Sequence, residues 1–222
     1  MRILLISSYS NNDSAAESTI FFMNLEVYKM LIAVYGSPRA GGNTDILMDT
    51  FLLGVQKHEN VISFKLRDMT LKPCTGCGFC DKSGICIFKD DIWDIYEHLE
   101  NATGLVLSSP IYFASVTAQL KTFIDRGQAF WVRKELKGTF QGNNQNRKRG
   151  FYISVGAMNN DKYFINSRLV VRSFFVSMDV KPSGELFYPC IDKKGEIKSQ
   201  PGALDSAYQA GIEFSKLTSL GD

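Results

Sequence analysis

The stretch LIAVYGSPRAGGNTDIL, residues Leu31–Leu47, decides the fold. It predicts a short buried strand that runs into a Gly-rich turn, after which a helix begins with Asn43 as its N-cap. Glycines such as Gly42 let the backbone of the turn approach a ligand closely. Because the turn offers hydrogen-bond donors at the positive end of a helix dipole, we predict that it binds a phosphate. The donor side chains are those of Ser37, Arg39, Asn43 and Thr44.

Motifs that the turn lacks narrow the choice of phosphate. It has neither the Gly-Lys-Ser/Thr of a nucleotide-hydrolysing P-loop nor the G-x-G-x-x-G spacing of a pyrophosphate-binding turn. Hydroxyls, one arginine and an Asn-Thr pair suit a single phosphomonoester such as that of FMN, and an ordinary turn rich in small residues is the alternative. The segment GSPRAGGNT, residues 36–44, closely resembles the phosphate loop of the flavodoxin-like NAD(P)H-dependent FMN reductases. That resemblance implies FMN binding.

The composition bounds the class of protein. The chain has 222 residues, of which 45% are hydrophobic, enough for one domain with a sizeable core. A net charge of +2 gives no argument for a nucleic-acid partner, and no run of about twenty apolar residues would cross a membrane. Four of the five cysteines fall between Cys74 and Cys86. This crowding indicates metal or redox chemistry in the reducing cytoplasm rather than a disulfide framework.

Residues 1–29 stand apart from the pattern that follows. The apolar run Ile3–Ile6 is too short for the core of an export signal, and polar residues follow it directly. Chains that resemble this one begin close to their first strand, which here is near Met30. We therefore divide the chain into an N-terminal extension, 1–29, and a flavodoxin-like FMN-binding domain, 30–222. The extension is an arm, an element packed on the sheet edge, or upstream sequence translated in error.

Strand-like and helix-like segments alternate through the domain. This alternation indicates a parallel sheet covered by helices on both faces. We predict an α/β fold, a flavodoxin-like doubly wound five-stranded parallel sheet of order 2-1-3-4-5, which binds ligands beyond the carboxyl ends of its first and third strands. The predicted strands are 31–35, 61–66, 104–109, 151–155 and 185–188, the predicted helices are 44–57, 90–101, 116–131, 163–178 and 202–217, and 138–150 is a polar loop.

A second candidate site stretch is SSPIYFASVTAQLKTFIDR, residues Ser108–Arg126. Its aromatic side chains suit the flat, apolar ring of a flavin, although aromatic residues also commonly fill a core. The stretch is very similar to the flavin-ring loop of the same reductases. The resemblance implies ring contacts from Pro110, Ile111, Tyr112, Phe113 and Ser115, and a third flavin-facing loop that contains Ser154 and Gly156.

The segment CTGCGFCDKSGIC, residues 74–86, has the spacing C-x2-C-x2-C-x5-C. Three thiolates at three-residue intervals can bind three corners of a 4Fe–4S cluster, and Gly76 and Gly78 permit the tight curvature that this needs. Zinc is the main alternative, although zinc sites usually pair two knuckles across a longer spacer. The absence of any metal is another alternative. We expect Cys190 to be buried or idle rather than a ligand. The predicted metal ligands are Cys74, Cys77, Cys80 and Cys86.

The cysteine spacing after the second strand resembles the iron–sulfur flavoprotein family, and the resemblance runs from about Met30 onward. It implies a homodimer, or a dimer of dimers, that passes electrons between FMN and the cluster and so couples two-electron and one-electron partners. NAD(P)H and a ferredoxin-type carrier are the candidate donors. A cluster-free NAD(P)H-dependent FMN or quinone reductase and a non-catalytic flavodoxin-like electron carrier are the alternatives. Outside these motifs, the basic run 147–149 is expected to be a solvated loop.

Overall fold

The computed structural model describes residues 30–56, 59–136 and 148–219. The predicted extension 1–29 and most of the predicted polar loop 138–150 lie outside the described residues, so the predictions made for them stay predictions. Among the helices within the described ranges, none has both the length and the apolar character that a bilayer crossing requires.

Five parallel strands form one sheet in the order β2-β1-β3-β4-β5, which confirms the predicted topology. The central strands are buried on both faces because their residues are almost all apolar. The chain leaves β1 toward one edge and β3 toward the other, so the carboxyl ends of these two strands flank the switch point. The strands are β1 (Met30–Tyr35), β2 (Asn60–Lys65), β3 (Gly104–Pro110), β4 (Lys148–Val155) and β5 (Val180–Tyr188).

Within the described ranges, six helices cover the two faces of the sheet. On one face, Phe51 of α1 and Phe214 of α6 pack against Phe151 of β4. The helices α1 and α6 touch so closely that a Cβ on Gly211 would lie 2.0 Å from the Phe51 carbonyl oxygen. The remaining helices bury the other face. They are α1 (Asn43–Val55), α2 (Ile92–Asn101), α3 (Ala118–Arg126), α4 (Gln128–Leu136), α5 (Asp161–Ser177) and α6 (Ala203–Ser219).

The predicted single helix 116–131 is two helices, α3 and α4. The chain turns between them at Gly127, whose amide donates to the Ile124 carbonyl three residues back at 3.0 Å. A Cβ on Gly127 would lie 2.7 Å from the Phe174 ring of α5. The break therefore lets the chain pass close to α5, a contact that the apolar periodicity of the segment does not reveal.

Strands β4 and β5 both begin earlier than predicted. Lys148 and Arg149 were expected in a solvated loop, but they open β4, and Arg149 is buried. Their partners are Val180 and Lys181 of β5, which was expected to begin only at Glu185. Pairing between β4 and β5 extends both strands. Pro182 is tolerated in β5 because β5 is an edge strand.

Candidate functional site

Loops at the carboxyl edge of the sheet are tied to one another by backbone hydrogen bonds. The Gly36 amide, after β1, donates to the Ser108 carbonyl of β3 at 2.7 Å. The Ile111 amide donates to the Val155 carbonyl at 2.8 Å, and the Gly156 amide donates to the Tyr188 carbonyl at 3.0 Å. These bonds join the ends of four neighbouring strands, so their loops form one fixed surface around the switch point.

The loop that follows β1 presents a cluster of donors. The Ser37 hydroxyl accepts from the Arg39 amide at 3.1 Å and lies within hydrogen-bond distance of the Arg39 carbonyl. Gly41 has a φ of +63°, and Gly42 is the N-cap of α1 with no side chain bonded to the helix amides. The first turn of α1 therefore keeps amides free for an anion, as the donor set of a phosphomonoester site requires.

Asn43 is not the N-cap that the sequence predicts. It is the first residue of α1, and its side chain reaches across the cleft. Its amide nitrogen donates to the Lys193 carbonyl at 2.9 Å, and its amide oxygen accepts from the Ile197 amide at 3.3 Å. Asn43 thereby brings the segment after β5 to the cleft, where Ile191 and Asp192 line the wall. Nothing in the local sequence signals a contact with residues 150 positions away.

A buried ion pair supports the same loop from inside the protein. The Asp45 carboxylate accepts from the Gly41 amide at 3.0 Å and lies 2.9 Å from the Arg67 guanidinium. Arg67 also donates to the Ser37 carbonyl at 3.3 Å. Burial raises the pKa of Asp45, although Arg67 opposes this rise. Sequence reasoning missed both residues, because the segment after β2 brings Arg67 to Asp45 only in the folded structure.

The loop after β3 forms the opposite wall of the cleft. Tyr112 and Ser115 close a tight turn through two backbone hydrogen bonds of 2.9 and 3.0 Å. Between them Phe113 has a φ of +47° and its side chain is completely exposed. Phe113 lines an adjoining cavity of about 430 Å³, and Ile111 lines both this cavity and the cleft. Together the two spaces offer a polar end and an apolar end, which suits a flavin phosphate and ring.

The predicted flavin-contact residues lie in four different places. Gly156 joins Phe113 in the apolar cavity, and Ser115 contributes through its backbone turn. Ser154 faces elsewhere, because its fully buried hydroxyl donates to the Ser109 carbonyl at 2.8 Å. The contacts of all these residues with FMN stay predictions. The cleft itself is lined by Ser37, Arg39, Gly42, Asn43, Thr44, Pro110, Ile111 and Tyr112.

The cysteine segment lies between β2 and α2, and it brings its four thiols to one place. The thiols are free and line a single cavity of about 450 Å³ together with Arg126. Gly76 and Gly78 have φ values of +65° and +69°, which confirms that the curvature of the segment uses these glycines. The four cysteines are Cys74, Cys77, Cys80 and Cys86.

The thiols share a cavity without converging on one point. In the described ranges, no three Cys, His, Asp or Glu side chains are placed to share a single metal ion. Tetrahedral zinc needs such convergence, because each sulfur lies about 2.3 Å from the metal. A 4Fe–4S cluster binds each thiolate to a different iron and so spans a wider set. The donor set therefore fits the chemistry of a cluster better than that of zinc.

Two other cysteine features bear on this site. Burial, and to a smaller extent the neighbouring Asp81, raises the pKa of the Cys80 thiol, so a metal that bound this sulfur would displace a proton. Cys190 was expected to be buried or idle, but it is exposed, with a φ of +59°. It directly precedes Ile191, which lines the cleft, and it is not among the residues that line the cysteine cavity.

The comparison with known protein families agrees with this arrangement. Residues 30–177 match the family described as NADPH-dependent FMN reductase. The chain belongs to this family. It is therefore an FMN-dependent oxidoreductase with a flavodoxin-like fold.

Relatives of this family member carry a more specific name. An iron-sulfur flavoprotein of Methanocaldococcus jannaschii is 30% identical over 197 residues, which are 86% of this chain and 97% of the relative. An iron-sulfur flavoprotein of Archaeoglobus fulgidus is 35% identical over 112 residues, about half of each chain. The resemblance that the cysteine spacing indicates is thus confirmed by relatives that were found from the sequence as a whole.

Solved structures share the fold of this FMN reductase family member. The NAD(P)H:quinone oxidoreductase from Methanothermobacter marburgensis superposes with a TM-score of 0.61 at 13% identity, covering 83% of this chain and 96% of that one. The Trp repressor binding protein from Bacillus subtilis gives a TM-score of 0.59 at 22% identity, covering 81% and 98% of the two chains. At these identities the likeness concerns the fold alone.

Proposed function

We propose that the chain carries FMN in the cleft between the β1 and β3 loops and one 4Fe–4S cluster in the cysteine cavity. Electrons would pass between the two groups, so that the protein couples a two-electron partner to a one-electron partner. The observation that carries this proposal is that the four thiols of one compact motif line one cavity. The names of the relatives support the same conclusion.

The residues around the cleft would bind and orient the flavin. Ser37, Arg39 and the free amides of α1 would hold the phosphate, and Asn43 would fix the wall that Asp192 lines. Ile111 would support the ring through its apolar side chain. When bound, FMN supplies two-electron chemistry and the cluster supplies one-electron chemistry, while the protein supplies position and potential.

The proposed assembly is a homodimer or a dimer of dimers. Large apolar side chains are exposed on the rim of the apolar cavity and on α5, whose Phe164 lines that cavity, and a second copy would cover them. They are Phe113, Met158, Ile165 and Leu169. Sedimentation equilibrium of wild type and of the Phe113→Ser variant tests this. A dimeric or tetrameric wild type that the substitution weakens supports the proposal, and a monomeric wild type contradicts it.

The proposed donors are NAD(P)H and a reduced ferredoxin-type carrier, in a reducing cytoplasm that keeps the four thiols free. Steady-state turnover with each donor separates a reductase from a non-catalytic carrier. An enzyme turns over with at least one of them at a rate that saturates with the donor. A protein that only exchanges electrons stoichiometrically, without turnover, is a carrier.

A cluster-free NAD(P)H-dependent FMN or quinone reductase is the second candidate function. The observation in its favour is that residues 30–177 match the family described as NADPH-dependent FMN reductase, a description that names FMN and no metal. Anaerobic purification with counts of iron, acid-labile sulfide and zinc, together with an absorption spectrum, decides between the two. Four iron and four sulfide per chain support the cluster. One zinc without sulfide, or flavin without metal, supports the second candidate.

A further inference from the structure

One buried arginine closes the segment that holds the cysteines. The Arg126 guanidinium, at the end of α3, has no solvent-exposed surface. It donates to the Lys72 carbonyl at 2.7 Å and binds the Asp90 carboxylate through two contacts of 2.7 and 3.1 Å. Asp90 also accepts from the Lys72 amide at 2.9 Å. The two ends of the segment 72–90 are therefore held together by one buried ion pair.

One N–H group of the same guanidinium has no acceptor among the described residues. It is that of the Nε atom, which is buried. A buried N–H without an acceptor costs free energy, so a native protein usually provides one. Arg126 lines the cavity of about 450 Å³ with all four cysteines, and Cys86 lies four residues before Asp90. A ligand that the thiols held in this cavity would supply an acceptor that the described residues do not.

We propose that Arg126 is a positioning residue for the cysteine site, an inference that rests on the proposed cluster. Its ion pair with Asp90 holds the segment ends at the spacing that four-thiolate ligation needs. Its positive charge and its Nε–H stabilise the group that the thiolates bind, and they do so more strongly in the reduced, more negative state. Net charge and hydrogen bonds to sulfur are two of the factors that set a cluster's potential.

A second arginine provides a matched control. Arg168 of α5 binds the Glu185 carboxylate at 2.7 Å and stacks on Phe187 at 5.0 Å. Arg126 likewise binds a carboxylate and stacks on a phenyl ring, that of Phe88, at 5.3 Å. Arg168 lies away from the cysteine cavity, so the Arg168→Met variant loses an ion pair and a ring contact of the same types, at a more exposed position, without touching the proposed site.

The first experiment measures the cluster potential by an EPR-monitored redox titration of the full chain, prepared anaerobically. We expect Arg126→Met to shift the one-electron reduction equilibrium about tenfold or more toward the oxidised state, which corresponds to a potential about 59 mV lower. Arg126→Lys keeps the charge but loses the Nε–H, so its shift is smaller. Arg168→Met leaves the potential at the wild-type value. An unchanged potential in Arg126→Met overturns the charge role.

The second experiment needs no cluster. Hydrogen exchange followed by mass spectrometry on metal-free protein reports the opening of residues 72–90. We expect faster exchange in this segment for Arg126→Lys and Arg126→Met, and wild-type exchange for Arg168→Met. Equal exchange in all four proteins overturns the positioning role. Should Arg126→Met not fold, Arg126→Lys carries both measurements, and a wild-type potential and exchange in that variant overturn the inference.

The two experiments separate failure of the inference from failure of the proposed function. A wild type without iron and sulfide ends the cluster proposal, and with it the charge role of Arg126, whereas the exchange data still decide the positioning role. A wild type that holds the cluster, with variants that match it in potential and exchange, leaves the proposed function intact and overturns the inference alone.

Discussion

The phosphate loop, residues 36–45, follows β1, and the cysteine loop, residues 72–90, lies between β2 and α2; the two loops are stabilised differently. In the phosphate loop, Ser37, Thr44 and Asp45 are almost completely buried, and side-chain contacts fix the backbone. Among residues 72–90, all of them described, only Gly84 is buried. The first loop is thus fixed by its own side-chain contacts, whereas the second is held at its ends and has four thiols that line a cavity.

The largest expected effect comes from removing the thiols. Cys74→Ala, Cys77→Ala, Cys80→Ala and Cys86→Ala should each lose the iron and sulfide, because a cluster with three thiolates loses iron readily. The flavin absorption should survive in every variant, since the phosphate loop has its own contacts. Metal analysis and visible spectra of anaerobic preparations measure both groups at once.

Cys190→Ala is the control for this set, because Cys190 is not among the residues that line the cysteine cavity. It should retain both the cluster and the flavin. A cluster that survives Cys86→Ala but not Cys190→Ala would identify Cys190 as the fourth ligand. Loss of flavin from all four thiol variants would show that the phosphate loop depends on the cysteine loop, and that the two are not stabilised independently.

The second prediction concerns the ion pair that closes the cysteine loop. Burial alone would raise the pKa of Asp90, but hydrogen bonds from Arg126 and the Lys72 amide outweigh it and hold this pKa below its ordinary value. Asp90→Asn leaves Arg126 buried without a counter-charge. The free energy of unfolding at pH 7 should fall by about 3–5 kcal/mol, measured by urea denaturation of metal-free protein.

The pH dependence of this loss has a defined sign. A carboxyl with a lowered pKa contributes stability above its ordinary value of about 4, and this contribution disappears as the pH falls through the folded value. The difference between wild type and Asp90→Asn should therefore shrink below about pH 4. Glu185→Gln, which breaks the more exposed pair with Arg168, should cost only about 0–1 kcal/mol. A difference for Asp90→Asn that persists into strong acid would exclude the ion pair as its cause.

Asp45 in the phosphate loop should show the opposite dependence. Because burial raises the pKa of Asp45, the folded protein binds more protons than the unfolded chain between about pH 4 and the raised value. Stability from this carboxyl therefore falls as the pH rises through that interval. Compared with Asp45→Asn, wild type should lose stability over this interval in the same urea series, and a gain would contradict the assignment.

Local patterns were sufficient for the sheet order and for the turn between β1 and α1, and they were insufficient where contacts between distant segments determine the structure. An apolar run followed by a Gly-rich turn has a short-range cause, so β1 and the loop after it could be predicted. The Asn43 side chain was predicted to cap α1, but it bonds instead to the Lys193 carbonyl, which lies after β5. The segment Lys181–Gly184 looks like a turn, but pairing with β4 makes it strand. A strand buried on both faces also loses the alternation that would show which way Ser154 points.

The fourth prediction tests the charge in the phosphate loop. Arg39 is the one arginine between residues 36 and 45, which contain no lysine, and it lines the cleft. A charged hydrogen bond contributes about 1.5–3 kcal/mol, so Arg39→Ala should weaken FMN binding about ten- to a hundredfold. Riboflavin, which has no phosphate, should bind wild type and variant equally in a fluorescence titration. Equal weakening of both ligands would place the phosphate elsewhere.

The smallest expected effect separates a residue that supports the site from one that lines it. Ser154 was predicted to face the flavin, but its hydroxyl donates to the Ser109 carbonyl inside the sheet. Ser154→Ala should therefore lower the free energy of unfolding by about 1 kcal/mol and leave the Kd for FMN unchanged. Ser37→Ala is the contrasting variant, because Ser37 lines the cleft and its hydroxyl accepts from the Arg39 amide. That variant should weaken FMN binding. If Ser154→Ala weakens FMN binding without loss of stability, Ser154 contacts the flavin after all, because a hydroxyl engaged only with β3 would affect unfolding first.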